Sequence, residues 1–171
     1  MEYISRRKLI GIMGGTLGVL LFGLGTSAGS GKYQTYTRPQ IEVPVSLAVG
    51  TVRTPEFRVK NQNYHIIIQA ERRLPFADML CMMGLTTGPL SRFNCDKEPL
   101  LQADWTVWDG ENVVAQGSVH ERDGYFDSAK EYLFRYLGNF VGKAGKKYVL
   151  EVKFTKDGTP LNATNPHLIV M

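Results

Sequence analysis

Apolar and polar residues alternate one by one through most of the chain after residue 40, and this period of two most constrains the fold. A strand that buries one face shows this period, whereas a helix repeats after about 3.6 residues. The stretch 148–155 is the clearest case, with four apolar residues at even positions. The pattern predicts about seven strands, at 41–49, 57–59, 64–71, 101–107, 113–119, 148–155 and 168–171.

Proline and glycine indicate how these strands are arranged. Pro44 has no N–H for a ladder, so the first strand is predicted at a sheet edge. Asp109-Gly110 predicts a tight turn, and Lys156-Asp157-Gly158 predicts a hairpin turn before the last strand. Of the neighbouring Trp105 and Trp108, one ring is expected in the core and the other at the surface or under a loop.

Residues 72–100 interrupt the alternation. Within them, 74–84 predict a short helix, with a proline near its start and Gly84 after its end. Cys81 and Cys95 are the only cysteines in the chain. In an oxidising compartment such a pair predicts a disulfide, which is worth ~3 kcal/mol for a short loop in the chain-entropy model. The segment is therefore expected to be a stapled insertion between strands.

A second helix is predicted after residue 128. Ser128 and Glu131 have the spacing of a capping box. The apolar residues that follow recur at helical intervals, which favours a helix of one to three turns. Its apolar face would consist of Tyr132, Leu133, Tyr136 and Leu137.

The sequence 144–148, Ala-Gly-Lys-Lys-Tyr, leads into the strand at 148–155 and resembles the tyrosine corner of immunoglobulin-like and fibronectin-like sandwiches. The resemblance implies that the Tyr148 hydroxyl bonds to the backbone of the preceding loop. The expected fold is therefore mainly β, an immunoglobulin-like β-sandwich of about seven strands with one or two short helices. The chain also resembles uncharacterised exported bacterial β-sandwich proteins, a family of unknown function, so the resemblance implies no site residues.

The first 28 residues have the order of parts that an export signal requires. A basic start, Ser5-Arg6-Arg7-Lys8, precedes an uncharged stretch from Leu9 to Gly25. Small residues around Ala28 suit cleavage after that position. The start resembles the twin-arginine export motif, with Arg6 and Arg7 as the paired arginines. Residues 29–40 are then a linker, and 41–171 the β-sandwich domain.

The leader can also be a permanent signal-anchor helix. Leu9 to Ala28, at ~1.5 Å rise per residue, can just cross a ~30 Å hydrocarbon core. With the basic residues on the cytoplasmic side, either alternative places the domain outside the cytoplasm. The expected location is the periplasm, with membrane contact only through residues 1–28.

Charge excludes one class of partner. The whole chain has 20 basic and 16 acidic residues. Three of the basic residues, Arg6, Arg7 and Lys8, lie in the leader, so the domain itself is nearly neutral. A nucleic-acid interface needs a clustered basic face, so we expect no nucleic-acid partner.

No catalytic or cofactor motif occurs in residues 29–171, and we expect no cofactor. His65, His120 and His167 lie on separate predicted strands, without the short spacing of zinc ligands. The sequence His120-Glu121-Arg122-Asp123 can supply a general base, which leaves a hydrolase with a site near His120 as one alternative. A solvated hairpin tip is the simpler interpretation.

Sulfur-containing residues suggest another alternative. Met79, Cys81, Met82 and Met83 carry soft ligands that favour Cu(I), and helical spacing brings the methionines to neighbouring faces. A periplasmic copper-binding protein would use these four residues. Packing of a helix onto the sandwich, with Cys81 in a disulfide, explains the same residues.

The leading hypothesis is an exported, non-catalytic binding domain of the bacterial envelope. Sandwiches commonly bind through their end loops and sheet edges, and the stapled insertion 72–100 is longer than a simple connection requires. That segment is the predicted recognition element. The expected partner is a protein or another envelope macromolecule.

Overall fold

The computed structural model describes residues 38–85, 95, 98–120, 126–128 and 130–171. Tyr36–Met171 forms one compact unit. The predicted export signal, with Arg6 and Arg7, and the linker up to residue 37 lie outside the described residues. In the described part, none of the helical segments has the length and apolar character that a bilayer crossing requires.

The described part is mainly β-structure. Two helical segments interrupt the strands: α1 (Phe76–Met83) and a 3₁₀ helix (Thr159–Thr164). The strands are β1 (Ile41–Pro44), β2 (Gly50–Arg53), β3 (Phe57–Arg58), β4 (Gln62–Glu71), β5 (Ala103–Asp109), β6 (Asn112–Val119), β7 (Phe126–Ser128), β8 (Tyr132–Gly142), β9 (Lys147–Phe154) and β10 (His167–Val170).

The strands form two antiparallel sheets. The first sheet has the order β1-β10-β4-β8-β7, and the second has the order β2-β9-β5-β6, with β3 also pairing with β9. Side chains from both sheets meet in one apolar core, which is consistent with a β-sandwich. The described part contains ten strands. The seven expected strands correspond to seven of them, and the three that were not predicted are the short strands β2 and β7 and the long strand β8.

Residues that alternate between apolar and polar in the sequence also alternate between core and surface in the structure. In β9, Tyr148, Leu150, Val152 and Phe154 are all buried, and the residues between them are more exposed. Pro44 ends an edge strand, as predicted, and Gly110 forms the turn between β5 and β6 with a φ of 63°. Trp105 is buried and Trp108 is partly exposed, which confirms the expected division of the two rings.

Two tyrosines fasten loops at one end of the sheets. The Tyr148 hydroxyl accepts a hydrogen bond from the Lys143 N–H at 3.0 Å, which is the contact that the tyrosine corner implies. The Tyr64 hydroxyl accepts from the Lys60 N–H at 2.9 Å in the same way. Phe140 lies against both tyrosine rings, so the two loops are anchored on one aromatic cluster.

The helix predicted over Tyr132–Leu137 is wrong, because these residues form the first half of strand β8. The strand is apolar on both faces: Leu133 packs in the main core, and Phe134 packs in a second cluster with Ile67 and Ile169. A bulge opposite Ile66/Ile67 adds one residue, Leu137, and shifts the alternation. Because both faces of β8 are apolar and the bulge shifts the alternation, its apolar residues recur at intervals that resemble those of a helix.

The hairpin predicted at Lys156-Asp157-Gly158 is also wrong. After β9 the chain enters the 3₁₀ helix and returns in β10, which belongs to the other sheet. Gly158 donates its N–H to the Leu47 carbonyl at 2.8 Å. The glycine therefore begins a crossover between sheets, and Asn165, with a φ of 49°, ends the 3₁₀ helix before β10.

Candidate functional site

A cleft of about 380 Å³ opens where β4 ends and β8 begins. The pairing of Glu71 with Tyr132 ends the ladder, and one further bond, from the Arg72 N–H to the Glu131 carbonyl at 2.8 Å, extends it. The walls are therefore two short segments held side by side by strand pairing. They consist of Glu71, Arg72, Arg73, Lys130, Glu131 and Tyr132.

Arg72 is held in place by an aromatic ring and a backbone carbonyl. Its guanidinium carbon lies 4.6 Å from the centre of the Phe76 ring, the first residue of α1. Nη1 also donates to the Lys130 carbonyl at 3.4 Å. Stacking on an aromatic face orients a guanidinium while leaving donors for another group. Among the described residues, no carboxylate forms an ion pair with Arg72, so its charge remains available to a ligand.

Glu71 is fully engaged by its neighbours. Asn165 donates to Oε1 at 2.7 Å, and the Arg73 guanidinium bonds to Oε2. The hydrogen bond from Asn165 holds the pKa of Glu71 below its usual value of 4.5; desolvation opposes this, and Arg73 and the charge of His167 add to the lowering. The Glu71 charge is thus compensated within the protein and does not neutralise Arg72.

The insertion that follows Arg73 is stapled as predicted. Cys81 and Cys95 form a disulfide, with their Cα atoms 5.4 Å apart. Helix α1 ends at Gly84, which has a φ of 77°, and the Met82 carbonyl accepts from the Leu100 N–H at 2.8 Å. The predicted helix is confirmed. Of the recognition element 72–100, residues 86–94, 96 and 97 lie outside the described residues.

The proposed copper ligands are used in packing. Met79 and Met83 are fully buried in the core on the inner side of α1. The Cys81 sulfur is bonded to Cys95, so it is not a thiolate. The structure therefore gives two of the three methionines a structural role and does not place the four sulfurs in one open site.

The three histidines lie at different places in the fold: His65 on β4, His167 on β10 and His120 directly after β6. His120 Nε2 lies 2.9 Å from Asp104 Oδ1, and His167 Nδ1 lies 2.7 Å from Glu42 Oε1. The His120 and Asp104 side chains are 45% and 50% exposed on an open sheet surface. Glu121, Arg122 and Asp123 lie outside the described residues. In the part that the structure describes, no three His, Cys, Asp or Glu side chains are grouped to hold a metal ion.

Sequence reasoning missed the cleft residues and also a buried arginine. Arg135 is only 1% exposed, and its Nη1 donates to the Gly84 carbonyl at 3.3 Å, at the C-terminal end of α1. A cation is favourable at this end of a helix. The signal was a single charged residue within the apolar run of β8, which a strand assignment would have placed on the same face as Leu133.

Comparisons with known proteins bear on the fold. No protein-family model matches the chain, and no curated protein matches it. The structure is similar to a crystal structure of a protein from Sulfurospirillum deleyianum, with a TM-score of 0.54 and 12% sequence identity. The match covers 78% of this chain and 96% of that one. At this identity the likeness shows the fold alone, a mainly β architecture of two antiparallel sheets.

Proposed function

We propose that this chain is an exported, non-catalytic domain that binds another macromolecule of the bacterial envelope. The observation that carries the proposal is the aromatic-stacked Arg72, which pairs with no carboxylate among the described residues and lies beside an open cleft at the base of a disulfide-stapled insertion. A rigid support with an available charged group is typical of a binding surface.

Export is supported by the leader and by the disulfide. The paired Arg6 and Arg7 favour the twin-arginine route. Disulfides such as Cys81–Cys95 persist in oxidising compartments, which is consistent with a location outside the cytoplasm. We place the domain in the periplasm, either released or anchored through residues 1–28. We further propose that the sandwich is immunoglobulin-like, and the Tyr148 corner supports this assignment.

The chemistry of the cleft favours an anionic group on the partner. Arg72 presents a planar set of donors that suits a carboxylate or a phosphate. The Lys130 ammonium lines the same cleft, and within the described residues no carboxylate pairs with it. Glu71 is already compensated by Asn165 and Arg73. We therefore expect this cleft to bind an acidic side chain of an envelope protein or an acidic group of another envelope polymer.

Capture from an envelope extract tests the proposal. The full, affinity-tagged chain is compared with Arg72→Glu, which reverses the charge at the cleft, and with Arg53→Glu, an exposed control on β2. We expect the wild type and Arg53→Glu to capture a partner that Arg72→Glu does not capture. Added salt should weaken the capture of that partner by the wild type. Equal capture by all three chains, or no partner for any of them, would overturn the proposal.

A further inference from the structure

The end of the two sheets that lies opposite the cleft is formed by three connections. They are the loop between β3 and β4, the turn between β5 and β6, and the turn between β8 and β9. The pairing of Gln62 with Gly142 brings the first and the third side by side. An ion pair of 2.8 Å from Lys146 to Asp109 joins the third to the second. The three connections therefore form one surface, which we call the basic end.

Basic side chains outnumber carboxylates at the basic end. Six basic residues lie there with three acidic ones: Arg38, Arg58, Lys60, Lys143, Lys146 and Lys147, with Glu56, Asp109 and Glu111. Two of the basic residues are paired, Lys146 with Asp109 and Lys147 with Glu56. Among the described residues, no carboxylate forms an ion pair with the other four. At the cleft end, the described part has four basic and five acidic residues: Arg72, Arg73, Lys130 and Lys156, with Glu71, Asp78, Glu98, Glu131 and Asp157. The positive charge is therefore concentrated at one end.

Two of the unpaired lysines lie on loops whose backbone is fixed. The N–H groups of Lys60 and Lys143 are the two that donate to the tyrosine hydroxyls. The Ala144 N–H donates to Asn61 Oδ1 at 2.6 Å and so joins the two loops. A loop that is already ordered loses little conformational entropy when it binds. The two lysines are thus presented together on a preformed surface.

Exposed apolar side chains and the start of the domain lie at the same end. Val113 and Val114 are each 46% exposed near the β5–β6 turn, and Val141 is 69% exposed near the β8–β9 turn. The Gln40 N–H donates to the Val170 carbonyl at 2.7 Å, which continues the β1–β10 ladder towards this end. The described chain therefore begins at the basic end, directly after the predicted linker and the predicted signal or anchor.

We propose that the basic end docks on the surface of an anionic phospholipid bilayer. Unpaired lysines and arginines are attracted to anionic head groups, and small apolar side chains beside them can enter the boundary of the acyl chains. The four unpaired cations come from separate segments and form a broad surface, which suits a bilayer better than a single acidic side chain. Docking in this way directs the cleft away from the bilayer. The inference does not depend on the partner proposed for the cleft.

The full chain in lipid vesicles tests the docking. One set of vesicles consists of phosphatidylcholine alone, and the other contains phosphatidylcholine and phosphatidylglycerol in equal amounts. Ala144→Cys and Thr155→Cys place a polarity-sensitive dye at exposed positions of the basic end and of the cleft end, respectively. The native cysteines are bonded to each other, so the dye reacts with the introduced thiol. With phosphatidylglycerol, we expect the dye at position 144 to be protected several-fold from acrylamide quenching. The dye at position 155 should stay accessible, and added salt should remove the protection.

Reversal of two charges provides the second measurement. Lys60→Glu/Lys143→Glu in the Ala144→Cys chain should abolish the protection, because it replaces attraction to the head groups with repulsion. Arg53→Glu/Lys153→Glu makes the same change in net charge at exposed positions of β2 and β9, and should keep the protection. Equal protection in both kinds of vesicle, equal protection of both dyes, or no effect of the lysine reversal would overturn the proposal. Capture of a partner is not measured in these experiments, so their failure would leave the function proposed for the cleft unchanged.

Discussion

The Trp105 indole N–H donates to the Leu137 carbonyl at 2.8 Å and so joins β5 of the second sheet to β8 of the first. Leu137 is the extra residue of the β8 bulge, and a bulged residue is left out of the ladder. Its carbonyl is therefore available to the indole. The ring lies between Gly117 and Gly138, where the missing side chains give it room.

Alanine at Gly138 should destabilise the fold. A Cβ at Gly117 would lie 2.6 Å from Trp105 Cζ2, and one at Gly138 would lie closer still. Overpacking of this kind typically costs 1–3 kcal/mol, so we expect Gly138→Ala to lose about 2 kcal/mol of unfolding free energy in urea. Gln116→Ala, an exposed change in β6, should stay within about 0.5 kcal/mol of wild type.

The clash can be assigned to the ring by a double-mutant cycle. Trp105→Leu removes the ring, so the cost of Gly138→Ala should shrink in that background. An undiminished cost would show that the alanine acts on the backbone and not through Trp105.

The two loop-anchoring tyrosines should contribute through their hydroxyl groups. Tyr148→Phe and Tyr64→Phe each leave a loop N–H, that of Lys143 or Lys60, without its acceptor. Each change should lower the free energy of unfolding by about 1 kcal/mol. Tyr132→Phe is the matched control, because no hydrogen bond of its hydroxyl exists among the described residues. If all three variants had the same stability, the tyrosine bonds would contribute nothing measurable.

Loss of the disulfide should weaken the fold without abolishing it. Cys81 and Cys95 are 14 residues apart, and a loop of that length is worth ~3 kcal/mol in the chain-entropy model. The double variant Cys81→Ala/Cys95→Ala should unfold at lower urea and keep its β-type circular dichroism, since neither cysteine is among the residues of the apolar core. Reductant should shift the wild type to the same midpoint and leave the variant unchanged.

Glu71 should give the fold a defined acid sensitivity. The pKa of Glu71 in the folded protein lies below the usual 4.5. Its contribution to the free energy of unfolding is therefore present above pH 4.5 and is lost as the pH falls through the folded-state pKa. In urea titrations, the stability difference between wild type and Glu71→Gln should be constant near neutrality and shrink below pH 4.5. Asn165→Gly keeps the left-handed backbone and removes the main hydrogen-bond donor to Glu71. In that background the stability difference between Glu71 and Glu71→Gln should be smaller. A difference independent of pH would contradict the assignment.

Strands with a regular alternation of apolar and polar residues could be predicted from the sequence, and the long, bulged strand β8 could not. The alternation located β9 and most of β4, β5 and β6 within about two residues. Strand β8 failed because both its faces are apolar and its bulge interrupts the period at Leu137. Tertiary pairing with β4 overrides the local capping-box signal at Ser128 and Glu131.

The cleft could not be predicted for the same reason. Its walls come from residues 71–73 and 130–132, which are distant in sequence and meet only because β4 pairs with β8. With β8 assigned as a helix, no argument from spacing could bring Arg72 and Lys130 together. The disulfide, by contrast, followed from cysteine count and compartment alone, because it requires no knowledge of the sheets.

The bulge makes the length of β8 as important as its composition. A substitution changes one side chain and leaves every other residue on its own face. Deleting Phe134 would let the bulge absorb the missing residue, but Tyr136 would then turn into the core and Leu137 out of it. Sequences that share this fold are therefore expected to vary in side chains along β8 while keeping the same number of residues between Glu131 and Gly142.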